Sequence, residues 1–236
     1  AQGHTDFLQV MLDARYKDGS IVTTEEIVGL LLAGLFAGQH TSNITSTWMG
    51  MLLMKAGPGM LNRLLEEQAE VLAKSEGKVT LDALNQMTLL HCCMKETLRL
   101  YPPLILLLRK VLVNIEYNGY IIPKGDVIVS CPPVSHRLPE VYTNPEAFDP
   151  DRFMPGREED KAQKFSFLSF GGGRHGCLGE KFGFLQTETI WSIMFRTFEF
   201  ERDETELPPA DYTAIVVGPK PDKCRVRFRR KVPRGE

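Results

Sequence analysis

One stretch of this 236-residue chain concentrates the means for chemistry: Phe170-Gly171-Gly172-Gly173-Arg174-His175-Gly176-Cys177-Leu178-Gly179. It presents a single cysteine at the end of a glycine-dense loop, directly before a segment of helical character, Glu180 to Phe198. At a helix N-terminus, unpaired N–H groups and aligned peptide dipoles favour a thiolate. Glycines let the backbone take φ > 0 and come close to a large flat ligand. A thiolate offered singly suits an axial metal ligand of the haem–thiolate kind. A Walker-type phosphate loop is excluded, because no Gly-Lys-Ser/Thr follows the glycines. A structural zinc site is excluded too, since no Cys-x-x-Cys or second ligand pair accompanies Cys177. A glycine-rich loop without chemistry is the remaining alternative on this stretch alone.

Two further groupings stand out. Glu96 and Arg99 lie three apart and share a helix face. In isolation such a pair reads as a surface ion pair worth about 0–1 kcal/mol. Its flanks argue otherwise, for Leu89, Leu90, Met94, Leu98 and Leu100 are apolar. Ala37-Gly38-Gln39-His40-Thr41 sets small residues beside an imidazole and a hydroxyl inside a long apolar helix. Taken alone, His40 reads as a core histidine with its hydrogen bonds satisfied.

The elements that must position these residues follow from periodicity and caps. Phe7, Val10, Met11 and Ala14 make a short amphipathic helix within Asp6–Tyr16, closed by Lys17-Asp18-Gly19-Ser20. Thr23 and Glu26 form a capping box. A long helix follows over 24–54, with Gly34, Gly38 and Gln39-His40-Thr41-Ser42 expected to be buried at its middle and to permit a groove or bulge. Gly57-Pro58-Gly59 breaks the chain before a helix over 60–74. Thr80 caps a short turn, and a helix over 89–100 ends at Pro102-Pro103. The period then becomes strand-like. A small antiparallel β region is expected over 104–131, with a turn at Asn118-Gly119. The cysteine loop, 170–179, precedes a helix over 180–198, and a last β region is expected over 212–229. The class is mainly α with small antiparallel sheets.

Composition bounds the function. A net charge of −2 argues against a nucleic-acid partner. The C-terminal Arg225, Arg227, Arg229, Arg230 and Lys231 alternate with Cys224, Val226 and Phe228, which reads as a half-buried strand with a solvated basic face. Five scattered cysteines, two of them adjacent (Cys92 and Cys93), suggest a reducing compartment without a disulfide framework. No signal peptide opens the chain. The apolar stretch Ile27–Ala37 reads as too short to span a bilayer, so the chain as given is expected to be soluble.

The cysteine loop resembles the haem-binding signature of the cytochromes P-450: Phe, two residues, Gly, one residue, a basic residue, one residue, Cys, one residue, Gly. Phe170, Gly173, His175, Cys177 and Gly179 fill those positions. Glu96-x-x-Arg99 is similar to the family's Glu-x-x-Arg pair, and Asp149-Pro150-Asp151-Arg152-Phe153 matches the loop whose Arg152 would complete a buried triad. Ala37–Thr41 is similar to the oxygen-activation segment. Gln39-His40-Thr41-Ser42 and the histidine at 175 resemble the sterol 14α-demethylase branch. So do Leu12–Gly19, Arg99-Leu100-Tyr101-Pro102-Pro103 and Leu108-Arg109-Lys110-Val111. The resemblance runs along essentially all of residues 1–236 and is to the C-terminal half of the family's chains.

What the resemblance implies can be carried over by position. Cys177 would be the axial iron ligand of haem b, within a cradle of Phe170, Gly171, Gly173 and Gly179. Arg109 and His175 would pair with its propionates, and Ala37 and Gly38 would leave room for O2. Thr41 and His40 would deliver protons. Ala33, Phe36, Ala37, Leu104, Leu106, Leu108, Ile215 and Val216 would line the substrate pocket. Glu96, Arg99 and Arg152 would be structural. The implied reaction is removal of a sterol's 14α-methyl group by three successive O2-dependent oxidations, with electrons from NADPH through NADPH–cytochrome P-450 reductase. Azole-type inhibition, a location on the cytosolic face of the endoplasmic reticulum membrane, and the fold's N-terminal half as a necessary partner would follow. The alternatives are a cytochrome P-450 acting on fatty acids or xenobiotics, a haem-dependent isomerase or lyase, and a haem-binding fragment inactive without that half.

Overall fold

The computed structural model describes residues 6–231, which divide into two units between His40 and Thr41. In the first unit, α1 (Phe7–Asp13) starts at Asp6, whose side chain accepts from Gln9 N–H at 2.8 Å. It stops at Asp13, short of the expected Tyr16, because Arg15 bridges Ile21 across the turn at Gly19. The capping box is present. Thr23 N–H donates to Glu26 Oε2 at 2.8 Å, and Glu26 N–H donates back to Thr23 Oγ1 at 3.3 Å.

That box opens α2 (Thr24–Ala56), a helix unbroken through its glycines, so the expected bulge does not form. Nor is its middle buried: Gly34, Gly38, Gln39 and His40 are exposed. By length and composition α2 is long and apolar enough to cross a membrane, contrary to the shorter stretch read from sequence. Its last part, from Thr45 through Trp48–Leu53, is buried within the second unit.

Around that segment pack α3 (Pro58–Ala73), α4 (Leu81–Gln86) and α5 (Thr88–Leu100). Thr80 caps α4 through Ala83 N–H. α5 has no cap of its own. Glu67 of α3 supplies one, accepting from Leu89 N–H at 2.6 Å and Leu90 N–H at 3.1 Å. The core joins Met49, Leu53, Leu64, Leu90, Met94 and Leu98.

Among the described residues the strands form four two-stranded antiparallel sheets. β1 (Leu107–Lys110), β2 (Ile115–Tyr117), β3 (Tyr120–Ile122) and β4 (Val127–Ser130) pair as β1–β4 and β2–β3. The β2–β3 turn is Asn118-Gly119, both at positive φ (49° and 79°), as a type I′ hairpin requires. Beyond the short α6 (Pro132–Ser135), a 3₁₀ turn at Pro150–Phe153 and the cysteine loop, α7 (Glu180–Thr197) packs on α5. Its Trp191 Nε1 donates to Ser46 O at 3.0 Å.

The C-terminal β region differs from expectation. Phe198 starts a strand, β5 (Phe198–Arg202), instead of closing α7. Residues 212–217 are a turn between β6 (Ala210–Asp211) and β7 (Gly218–Pro219). β8 (Val226–Arg230) pairs with β5, and all five of its residues are exposed, not half-buried. Phe228 meets Phe198 and Phe200 edge-on or tilted, while Arg227 and Arg229 of the basic run pair with Asp203 and Glu199.

Candidate active site

The cysteine loop is held by its own backbone. Gly171 N–H donates to Leu168 O at 2.9 Å and Cys177 N–H to Phe170 O at 2.8 Å. Gly171 and Gly173 take φ of +70° and +63°, where a β-carbon is strained. Phe170 is half-buried and packs 5.4 Å from Phe184 against the core, which anchors the loop. Cys177 sits two residues ahead of Gly179, which precedes the first turn of α7.

Burial sorts the five free cysteines. Cys92 and Cys93 are buried, which pushes the Cys92 thiol up to about 12 and Cys93 well above its ordinary value. Burial also raises half-buried Cys224, whose Sγ donates to Lys220 O. Cys131 is half-buried, and Cys177 alone is exposed. Its neighbours Leu178 and Phe182 expose apolar surface as well. Arg109 and His175 are exposed, and neither forms an ion pair among the described residues.

The triad assembles as expected. Glu96, Arg99 and Arg152 are fully buried. Glu96 accepts from Arg99 Nε at 2.6 Å, Arg99 Nη2 at 2.8 Å, Arg152 Nε at 3.1 Å and Asp149 N–H at 2.8 Å. Arg99 also donates to the carbonyls of His136, Pro145 and Ala147. Two cations on one carboxylate need a second anion. It is Glu159, whose Oε2 accepts from Arg152 Nη1 at 2.5 Å and whose Oε1 accepts from Arg157 at 2.6 Å. Sequence gave no signal for this role, because Arg157-Glu158-Glu159-Asp160-Lys161 reads as a solvated charge run.

Burial would raise the Glu159 carboxyl, but hydrogen bonds from Arg157 and Arg152 outweigh it and hold the group below the usual carboxylate range. A depressed folded value means stability that is complete above the unfolded value near 4.5 and is lost as pH falls through the folded one. Urea midpoints of Glu159→Gln and the parent protein are therefore expected to differ most at neutral pH and to converge as the pH falls from 4.5 through the folded value. A gap independent of pH would show that the carboxylate charge plays no part.

Within the second unit, the apolar candidates gather near the end of α5. Leu104, Leu106 and Leu108 are exposed while Ile105 and Leu107 are half-buried, the alternation of an extended segment with one open face. Val217 N–H donates to Pro103 O at 2.9 Å, which brings the turn holding Ile215 and Val216 beside Leu104. Ile215 is 89% exposed at its tip. Thr41 shares a helical stripe with Ile44, which lies against Gly218, and Trp48, which stacks on Tyr101 at 3.8 Å. In the first unit, Ala33, Phe36, Ala37, Gly38 and His40 all lie on exposed parts of α2, so His40 is not a core histidine.

Comparison with known proteins agrees with this geometry. The family model described as Cytochrome P450 matches residues 1–226. Obtusifoliol 14-alpha demethylase of Sorghum bicolor is 46% identical over 236 residues, which cover 98% of this chain and 47% of that protein. Lanosterol 14-alpha demethylase of Mus musculus is 39% identical over 226 residues, 96% of this chain and 44% of that protein. Among solved structures, a retinoic-acid-bound cyanobacterial CYP120A1 matches with a TM-score of 0.86 at 26% identity, over 98% of this chain and 52% of that one. The chain spans about half the length of the curated relatives it matches.

Proposed function

Because the chain belongs to the cytochrome P450 family, we propose that it is the C-terminal half of a haem–thiolate monooxygenase that removes the 14α-methyl group of a sterol. The observation that carries this reading is the single exposed thiol, Cys177, presented by a hydrogen-bonded loop at the head of α7. The residues fit haem. Cys177 would supply one sulfur to the iron, the Arg109 guanidinium and the His175 imidazole, neither paired to a carboxylate among the described residues, would meet two propionates, and the surface flanking the thiol is apolar. Among the described residues no group of three or more His, Cys, Asp or Glu side chains could hold a bare metal ion.

When bound, haem supplies the oxidising chemistry, drawing on O2 and on electrons that originate in NADPH. The protein's share is positioning, protonation and the exclusion of water. Cys177 Sγ would hold the iron and donate electron density to it. Thr41 Oγ1, a hydroxyl that both accepts and donates, is the atom we assign to proton relay, with His40 next to it in sequence. Leu104, Leu106, Leu108, Ile215 and Val216 offer hydrocarbon contact and no charge, which suits a sterol skeleton and its azole-type competitors. Ala33, Phe36 and Ala37, in the first unit, are likewise uncharged. The curated sterol demethylases among its relatives support this substrate class. Three successive oxidations, fed by NADPH–cytochrome P450 reductase on the cytosolic face of the endoplasmic reticulum, complete the proposal. The fold's N-terminal half would cover the apolar side chains left open here.

Substrate class is tested by spectral titration of the haem-loaded protein. Lanosterol or obtusifoliol is expected to give a type I shift, and a medium-chain fatty acid none. The reverse order would transfer the enzyme to a fatty-acid or xenobiotic role.

A further inference from the structure

One polar link from α5 towards the cysteine loop passes through a buried histidine. His136 is fully buried at the end of α6, its ring stacked on Phe167 at 5.1 Å and 13°. Nδ1 lies 3.1 Å from the carbonyl oxygen of Arg99, and the Leu168 N–H donates to Nε2 at 2.7 Å. A carbonyl only accepts and an amide N–H only donates, so the partners assign the proton to Nδ1 and the lone pair to Nε2. The ring is thus a neutral bridge that uses both nitrogens. Its own carbonyl accepts from Arg99 Nη1 at 2.8 Å, tying it to Arg99 a second time.

Leu168 lies two residues ahead of the cysteine loop. Its carbonyl accepts from Gly171 N–H, the Ser169 hydroxyl donates to Leu98 O at 3.0 Å, and Phe170 O accepts from Cys177 N–H. Leu168 is thus tied to His136, Ser169 directly to α5, and Phe170 to Cys177.

We propose that His136 is a positioning residue for Cys177: it clamps Leu168–Phe170 to the last turn of α5 and so sets where the sulfur stands. The clamp is independent of haem. Its consequence for the sulfur rests on the reading of Cys177 as the ligand. Charge favours the arrangement. Burial first, then the facing guanidiniums of Arg99 and Arg137, hold the ring at about 4, so it keeps its acceptor at ordinary pH.

Three substitutions separate the roles. His136→Gln can place an amide oxygen near the former Nε2, His136→Asn retains only a group near Nδ1, and His136→Phe fills the space with neither. Hydrogen exchange in the full chain is expected to rise about tenfold or more at Leu168 and Cys177 in the Asn and Phe variants. The Gln variant should stay near the parent, and α3 should be unaffected in all three. In the haem-loaded protein, the Asn and Phe variants should move the ferrous carbonyl Soret band from the thiolate type towards the thiol type, with Gln rescuing it. Unchanged loop exchange in the Asn variant overturns the proposal. So does exchange that rises equally in α3, since that is global loosening, and the Asn–Gln pair decides the matter if the Phe variant does not fold. A parent protein with no thiolate-type band would sink the ligand reading instead, and loop exchange would then decide the clamp alone.

Discussion

A Cys177→Ala variant, loaded with haem, reduced and exposed to carbon monoxide, is expected to lose the thiolate-type Soret band entirely. The test is clean because the side chain is exposed and makes no hydrogen bond among the described residues. Truncating such a residue costs within about 0.5 kcal/mol of stability. Near-ultraviolet circular dichroism should accordingly match the parent. Monooxygenation should fall to background, because the electron-donating ligand that favours O–O cleavage has gone. A band that survives in Cys177→Ala but vanishes in Cys131→Ala or Cys224→Ala would move the ligand elsewhere and dissolve the assignment.

The second large effect lies away from the chemistry. Glu96→Ala removes one carboxylate that faces two fully buried guanidiniums, Arg99 and Arg152, and the Asp149 N–H. Breaking a buried pair by deleting one partner costs about 3–5 kcal/mol. Whole domains hold only about 5–15 kcal/mol. The variant is expected to lose most of its cooperative unfolding transition at ambient temperature, or to accumulate as insoluble protein. Glu96→Gln keeps the shape without the charge and should retain more of the transition. A Glu96→Ala protein with the parental midpoint would mean that the cluster is solvated in solution and holds nothing in place.

Glu159 and His136 show where sequence reasoning stopped. The Glu96–Arg99 pair was legible because helical spacing places the two residues together, and Arg152 because it falls in a recognisable run. Glu159 was hidden in a charge run of mixed sign, and His136 in a proline-rich connection with no period to read. Nothing local marks a side chain that finds its partner only after a loop folds back. The middle of α2 was misjudged for a related reason. Small and polar residues imply burial only when something packs against them, and Gly34–His40 lie exposed in the first unit.

The sequence by itself determined what neighbours in the chain can enforce. Caps, breakers and the 3.6-residue period placed the helices, the Asn118-Gly119 turn placed a hairpin, and one glycine-rich run singled out its cysteine among five. Only the tertiary structure decided that β8 pairs with β5, that residues 212–217 turn beside Pro103, and that the buried cations of the triad are answered by a second carboxylate. Those choices join residues far apart in the chain. Each is settled by which exposed edge or unpaired buried charge finds a partner, a competition that no short window of residues records.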